Sequence, residues 1–206
     1  MNRFVVTLFA CLLLPMTAAA ADMRTVTVDR DGKVYTMRSE VFFDVDQDTL
    51  YEVFRNWDLS PGFSSWVVDA RNLEPDETGK AGFYIQNKGC VMFVCKTLVR
   101  EGYVDDEPNT YIHASAISEK SDFAISNETW TFSTEGTGTV VVYELEMSPK
   151  FWVPPVIGPY VIKRKLKSDG GDALDRIEKI AQDRAAAKGY TRGGKSAAND
   201  GTVTVD

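Results

Sequence analysis

The 206 residues are 44% apolar and carry 23 basic against 30 acidic side chains, a net charge of −7. That balance excludes a wholly disordered chain, and the acidic field excludes nucleic acid as a partner held by overall charge. A single histidine, His113, and three cysteines without finger spacing leave too few soft ligands for a metal site, and no cofactor is expected.

Met1 to Arg3 form a short basic start, Phe4 to Leu14 an almost unbroken apolar run, and Pro15 leads into Ala18 to Ala21. This is the pattern of a secretory signal peptide over 1–21, cleaved near Ala20 or Ala21, and it predicts a periplasmic or secreted protein. The run is too short for an ordinary membrane span. Cleavage removes Cys11 and Arg3 and moves the net charge from −7 to −8. It leaves about 185 residues, which suits one domain with a sizeable core over 22–188.

Asp31-Gly32 separates two alternating runs, TVTVDRD and KVYTM, which predicts a hairpin whose second arm continues to Phe43. Leu50, Val53, Phe54 and Trp57 then fall at i, i+3, i+4 and i+7, predicting a helix from Asp46, with Thr49 and Glu52 spaced as a capping box. Ser60-Pro61-Gly62 turns the chain into a second short helix before Trp66. Strands are predicted at Trp66 to Glu74, Gly82 to Lys88, Lys96 to Val104, Thr110 to Ile117, Phe123 to Phe132 and Thr139 to Met147, with polar turns between them.

Cys90 and Cys95 flank Val91 to Val94. Positions five apart on a straight strand point to opposite faces, whereas a four-residue hairpin connection would let the two sulfurs meet. Export and the even count favour that disulfide, and with it an apolar finger at a pocket mouth or membrane surface. The other reading is one continuous buried strand with two free thiols.

After Met147 comes an apolar, proline-punctuated loop, FWVPPVIGPY, and then a long amphipathic helix whose apolar stripe includes Leu166, Leu174, Ile177, Ile180 and Ala181. Gly170 and Gly171 mark either a break in that helix or a close approach to the sheet or a ligand. Trp152, Val156 and Ile157 beside Lys163 and Arg164 suit peripheral contact with an anionic membrane, and suit equally a loop that closes one end of the core. The tail over 189–206 is small, polar and predicted to be disordered. Its last five residues, Thr202 to Asp206, repeat Thr25 to Asp29 letter for letter. In a β-biased composition, chance outweighs swapped strand pairing as the explanation.

This order of elements, with FFDVDQDTLYEVFRNWDLSPGFSSWVVDARNLE (Phe42 to Glu74), ETWTFS (Glu128 to Ser133), PPVIGPYVIKRKL and DALDRIEKIA, resembles the START-like (SRPBCC) superfamily of polyketide cyclases and dehydrases and lipid-transport proteins. Within it the chain looks most similar to the coenzyme Q-binding START-like subgroup. The resemblance spans about Lys33 to Ala187. It implies an α+β helix-grip fold: seven antiparallel strands curved around the last helix, with two short helices after the first core strand. It also implies a cavity for a lipid, quinone or polyketide-like molecule. Export and the Cys90 to Cys95 finger depart from the pattern.

With Glu144 and Glu146 facing water, Val141, Tyr143, Leu145 and Met147 turn inward. Glu128, Trp130 and Phe132 share a face, so Glu128 is either at a wet rim or a polar anchor for a ligand headgroup, partnered by Arg100 or His113. Phe83 with Ile85, or else Tyr84 with Gln86, would add to the same wall, as would Tyr160, Leu174 and Ile177 from the loop and helix. No GxSxG, phosphate loop or HExxH is present, so no catalytic residue is assigned. The leading expectation is an exported carrier of a hydrophobic small molecule. The alternatives are a cyclase- or dehydrase-like enzyme acting on one, or a protein-interaction module using the finger.

Overall fold

A computed structural model describes residues 21–91, 94–153, 158–191 and 194–195, the side chains of 90, 91, 94, 158–170, 190, 191, 194 and 195 excepted. Eight antiparallel strands form one sheet: β1 (Asp22–Asp31), β2 (Val34–Phe43), β3 (Val67–Leu73), β4 (Gly82–Val91), β5 (Val94–Glu107), β6 (Tyr111–Ala116), β7 (Phe123–Glu135) and β8 (Gly138–Pro149). Their spatial order is β1-β2-β8-β7-β6-β5-β4-β3, so β1 and β3 are the edges. The family pattern implied seven strands. The eighth is β1, folded onto β2 through Asp31 and Gly32, whose φ of 57° fits the left-handed backbone of a tight hairpin.

Helix α1 (Gln47–Arg55) follows β2, and a 3-10 turn (Trp57–Leu59) leads into the short α2 (Ser60–Phe63). The cap of α1 is not the expected Thr49 and Glu52 box. Asp46, with extended backbone, accepts from the Thr49 N–H at 2.9 Å, and Thr49 itself is buried inside the first turn. An aspartate three residues upstream satisfies the free N–H first.

Helix α3 (Gly158–Ala187) runs unbroken through Gly170 and Gly171, about 45 Å long at 1.5 Å per residue. A Cβ built at Gly171 meets nothing within 4 Å among the described residues, so none of these requires a glycine there. Beyond α3, β9 (Tyr190–Thr191) pairs with β10 (Gly194–Lys195), a short ladder within the tail expected to be disordered. The rest of that tail lies outside the described residues.

Alternation along the strands assigns one face to the helices. Val41 and Phe43 of β2, Phe83 and Ile85 of β4, Val104 of β5, Ile112 and Ala114 of β6, Phe132 of β7 and Val141 of β8 are buried with Leu50, Val53, Trp57, Ile177 and Ala181. Trp57 stacks on Phe83 with centroids 4.4 Å apart, and Phe54 meets Phe43 and Phe132 edge-on. This core fills the half of the concave face beneath α1 and the C-terminal half of α3. It is tied off by Tyr51, which hydrogen-bonds Asp106, and by Arg55 Nε, which reaches the same carboxylate at 2.9 Å. Burial and that carboxylate push the Tyr51 phenol above its ordinary value.

Candidate functional site

The remaining half of the concave face carries a group of polar side chains. Arg100 of β5 and Glu128 of β7 form an ion pair, with side chains 13% and 8% exposed. The guanidinium also donates to Ser126 Oγ at 3.3 Å. Next to Arg100 and Glu128, β6 presents the small Ala114 and Ala116 on this face, so the long arginine can cross. Tyr143 of β8, stacked on Trp130 at 5.2 Å, lies close enough for its charge and that of Arg100 to interact. Burial pushes the Tyr143 phenol up to about 12 and draws the Arg100 guanidinium below its usual value. Ser39, paired with Tyr143 across the sheet, is 5% exposed. Tyr35 is 1% exposed, and its hydroxyl has no hydrogen-bond partner among the described residues. A buried cation, a carboxylate, a neutral phenol and spare hydroxyls converge next to an apolar wall, an arrangement that can hold the polar end of a largely apolar molecule.

No protein-family model matches the sequence, and no curated protein does. Solved structures do match. The Zhui aromatase/cyclase from Streptomyces sp. R1128 gives a TM-score of 0.62 at 12% identity, over 77% of this chain and 99% of that one. The STAR-related lipid transfer protein (fragment 25–204) from Xanthomonas axonopodis gives 0.55 at 14% identity, over 76% and 98%. Human STARD10 gives 0.55 at 12% identity, over 79% and 75%. This chain has the START-like helix-grip fold. At these identities the likeness concerns architecture, and what the site does must be argued from its own residues.

On the START-like scaffold, Phe83, Arg100, Glu128, Trp130, Phe132, Tyr143 and Leu145 all lie on the concave face, where alternation had put Tyr143 and Leu145 and had placed Glu128, Trp130 and Phe132 together. Of the two options on β4, Phe83 and Ile85 point inward. Phe83 and Phe132 belong to the packed core, with Leu174 and Ile177 of α3 against it. Tyr160 lies on α3 with its side chain outside the described residues.

His113 is a correction. It pairs across the sheet with Asp105 and Thr129, on the convex face and away from Glu128. Its Nε2 lies 3.2 Å from Ser115 Oγ, which donates to Asn127 Oδ1 at 2.8 Å, and its Nδ1 lies 2.8 Å from Thr129 Oγ1. Both ring nitrogens are used in a surface network, and the partner of Glu128 is Arg100. Tyr35, Ser39 and Ser126 are site residues that the sequence analysis missed. Ser126 shares parity with Glu128, already recognised on its strand, whereas β2, which carries Tyr35 and Ser39, had been given no inward face.

The side chains of residues 158–170, the first part of α3, are not described. Among the described residues, a depression of about 320 Å³ lies on the convex face, among Thr27, Thr36, Arg38, Glu144 and Glu146. A crevice of about 50 Å³ separates Phe63 to Trp66 from Asp172, Ala173 and Arg176 of α3. Trp66 packs against Gly89, where a Cβ would come within 1.9 Å of the indole, so any other residue there would displace the ring.

Strands β4 and β5 continue past the predicted ends, with Cys90 opposite Cys95 and Val91 opposite Val94. The connection is thus shorter than the expected four residues, because Val91 and Val94 are themselves strand residues; Met92 and Phe93 lie outside the described residues. At the base of this finger, Lys96 Nζ sits 4.1 Å from the centroid of the Phe151 ring, which packs edge-on against Phe123. The finger and the loop after β8 therefore meet, and Trp152 next to that contact is 78% exposed. Val156 and Ile157, and the side chains of Lys163 and Arg164, lie outside the described residues.

Proposed function

We propose that the protein is an exported binding or carrier protein for a hydrophobic small molecule, such as a lipid or isoprenoid quinone, held between the concave face and α3. The observation that carries this reading is the buried Arg100–Glu128 pair with Tyr143 beside it. A buried ion pair holds its place only where geometry is good and other polar groups complete it, because desolvating both charges costs several kcal/mol. A ligand headgroup would use the donors of Arg100 that Glu128 and Ser126 leave open, together with the Tyr143 and Tyr35 hydroxyls. Its apolar part would lie along Leu145, Trp130 and the stripe of α3. Neighbours titled lipid transfer protein and aromatase/cyclase support the general kind of ligand.

Export rests on the signal-like segment over 1–21, and in an oxidising compartment a Cys90–Cys95 disulfide would staple the β4–β5 finger. Facing residues of an antiparallel pair have Cα atoms about 4.5 to 5.5 Å apart, within disulfide range. Exposed Trp152 beside that finger, followed by Lys163 and Arg164, supports loading at an anionic membrane surface.

Native mass spectrometry, with organic extraction of protein purified from its own host, tests the proposal. A copurified quinone or lipid, lost in Arg100→Leu, is the expected result. A second reading is favoured by the same buried acid–base set: a cyclase- or dehydrase-like enzyme in which Tyr143 and Glu128 move protons. A ligand-free protein that turns over a polyketide-like substrate would replace the carrier reading with that one.

A further inference from the structure

The guanidinium of Arg100 is not a free cation. Glu128 pairs with it and Ser126 accepts from it, and all three side chains are largely out of water. Among the described residues, the formal charges buried on this part of the concave face therefore cancel. Arg30, with its guanidinium 5.6 Å from the centre of the Tyr35 ring, is exposed and screened by solvent. Resting on the carrier reading, we propose that the site selects a neutral head bearing a carbonyl oxygen, as in a quinone, ketone or ester, and rejects free carboxylates and phosphates. Glu128 is the residue that sets this preference.

Strand register places the polar groups around one apolar patch. Tyr35 of β2 and Ser126 of β7 face Met147 of β8 from its two sides, and Glu128 faces Leu145, the next inward residue along β8. Tyr143 is the inward residue after that, beside Ser39 of β2. A head lying on Met147 and Leu145 is thus flanked by a phenol from β2, a phenol from β8 and the guanidinium arriving from β5.

What these groups offer is donors. Arginine can only donate, and its bonds to Glu128 and Ser126 leave N–H groups open. Burial keeps the Tyr143 phenol protonated, and the buried Tyr35 hydroxyl has no partner among the described residues. A carbonyl oxygen can accept from the guanidinium and a phenol at once, and it brings no charge. A carboxylate or phosphate could use the same donors, but it must shed its hydration and stand near Glu128, a like charge. Arg100 is already neutralised, so among the described residues no second buried cation offsets that cost.

Competition among matched probes tests this. Delipidated protein is offered methyl palmitate, decylubiquinone and palmitate in equal amounts at about pH 8, where a carboxylic acid is ionised, and the bound molecules are extracted and quantified. At least one neutral probe should be retained about tenfold over palmitate. Which neutral probe is retained more tells an acyl ester source from a quinone. Glu128→Gln keeps an oxygen near Arg100 but uncovers its charge, and should raise palmitate relative to methyl palmitate about tenfold. Tyr143→Phe should lower retention of the neutral probes several-fold and leave palmitate excluded. The wild-type ratio needs no variant, so it decides even if Glu128→Gln does not fold. Palmitate retained as well as both neutral probes, or an unchanged ratio in folded Glu128→Gln, would overturn the proposal and leave the carrier reading standing. If no probe is retained but an apolar molecule copurifies, a neutral carbonyl head on it supports the proposal and an anionic head overturns it. No retention and no copurified molecule would remove the carrier reading and this inference together.

Discussion

Arg100 and Glu128 pair across β6 on the concave face, and neither side chain is more than 13% exposed. A pair this dry stabilises little as a whole, yet breaking it leaves one bare charge in the interior. Glu128→Leu or Arg100→Leu alone should lower unfolding free energy by about 3 to 5 kcal/mol, and the double substitution should recover most of that loss. Urea denaturation of the three variants checks the pattern. Near-additive losses would mean that the two side chains do not depend on each other.

Tyr143 gives a pH signature. Its folded pKa of about 12 lies above the reference value of 10.0, chiefly because burial disfavours the phenolate. The folded chain then holds that proton more tightly than the unfolded one. The contribution is fully present below pH 10 and is lost as pH rises towards about 12. Between those limits the wild type should lose more stability than Tyr143→Phe, measured as the difference in denaturation midpoint. Parallel curves for the two would show that the phenol is solvated.

Most of the fold was legible because strand alternation and turn residues are local signals. Glu144 and Glu146 fixed the orientation of β8, and with it the inward row Val141, Tyr143 and Leu145. His113 was misplaced because the face of β6 is set by its register with β5 and β7, a non-local quantity that Tyr-Ile-His-Ala-Ser does not encode. The Arg100–Glu128 pairing was half legible: Glu128 on an apolar face meant a wet rim or a cation, and choosing between the rim, Arg100 and His113 required the neighbouring strands. Gly170 and Gly171 left a break and a close approach equally open, because propensity disfavours glycine in a helix. In the fold the packing of the following residues, Leu174, Ile177 and Ala181, outweighs that cost.

Glu178 joins α3 to the sheet. Its carboxylate is 3% exposed and accepts from the Asp44 N–H at 2.8 Å, where the chain leaves β2 for α1. Glu178→Leu keeps bulk but strips the acceptor from a buried N–H, which should destabilise by about 1 to 3 kcal/mol. Glu178→Gln retains an oxygen and should lose less. Thermal unfolding of both variants decides, and an unaffected Glu178→Leu would mean that water serves Asp44 instead.

The proposed Cys90–Cys95 bridge closes a very short loop, so its effect on global stability should be small, about 2 kcal/mol at most. Its effect on the finger should be larger. Alkylation with and without prior reduction should reveal two blocked thiols in exported protein. Reduction should raise amide exchange from Gly89 to Lys96 while leaving β7 and β8 unchanged. Free thiols in exported protein would dismiss the bridge.

Membrane contact, finally, depends on where Trp152 and the finger stand relative to each other. Lys96 over Phe151 ties the finger's base to the loop that carries Trp152, so an indole and the β4–β5 tip share one end of an otherwise acidic molecule. Tryptophan settles at headgroup depth, and each nearby cation adds about 1 kcal/mol on an anionic bilayer. Replacing Trp152 by Ala and Lys163 by Glu together should therefore remove about 2 kcal/mol, on the order of 30-fold in vesicle binding. Cosedimentation with phosphatidylglycerol-containing vesicles should detect that loss, and neutral vesicles should bind wild type weakly. Added salt should reduce the anionic binding, because exposed charges are screened beyond about 10 Å at 0.1 M. If the double variant sediments as well as wild type, this end of the molecule closes the core and does not touch lipid.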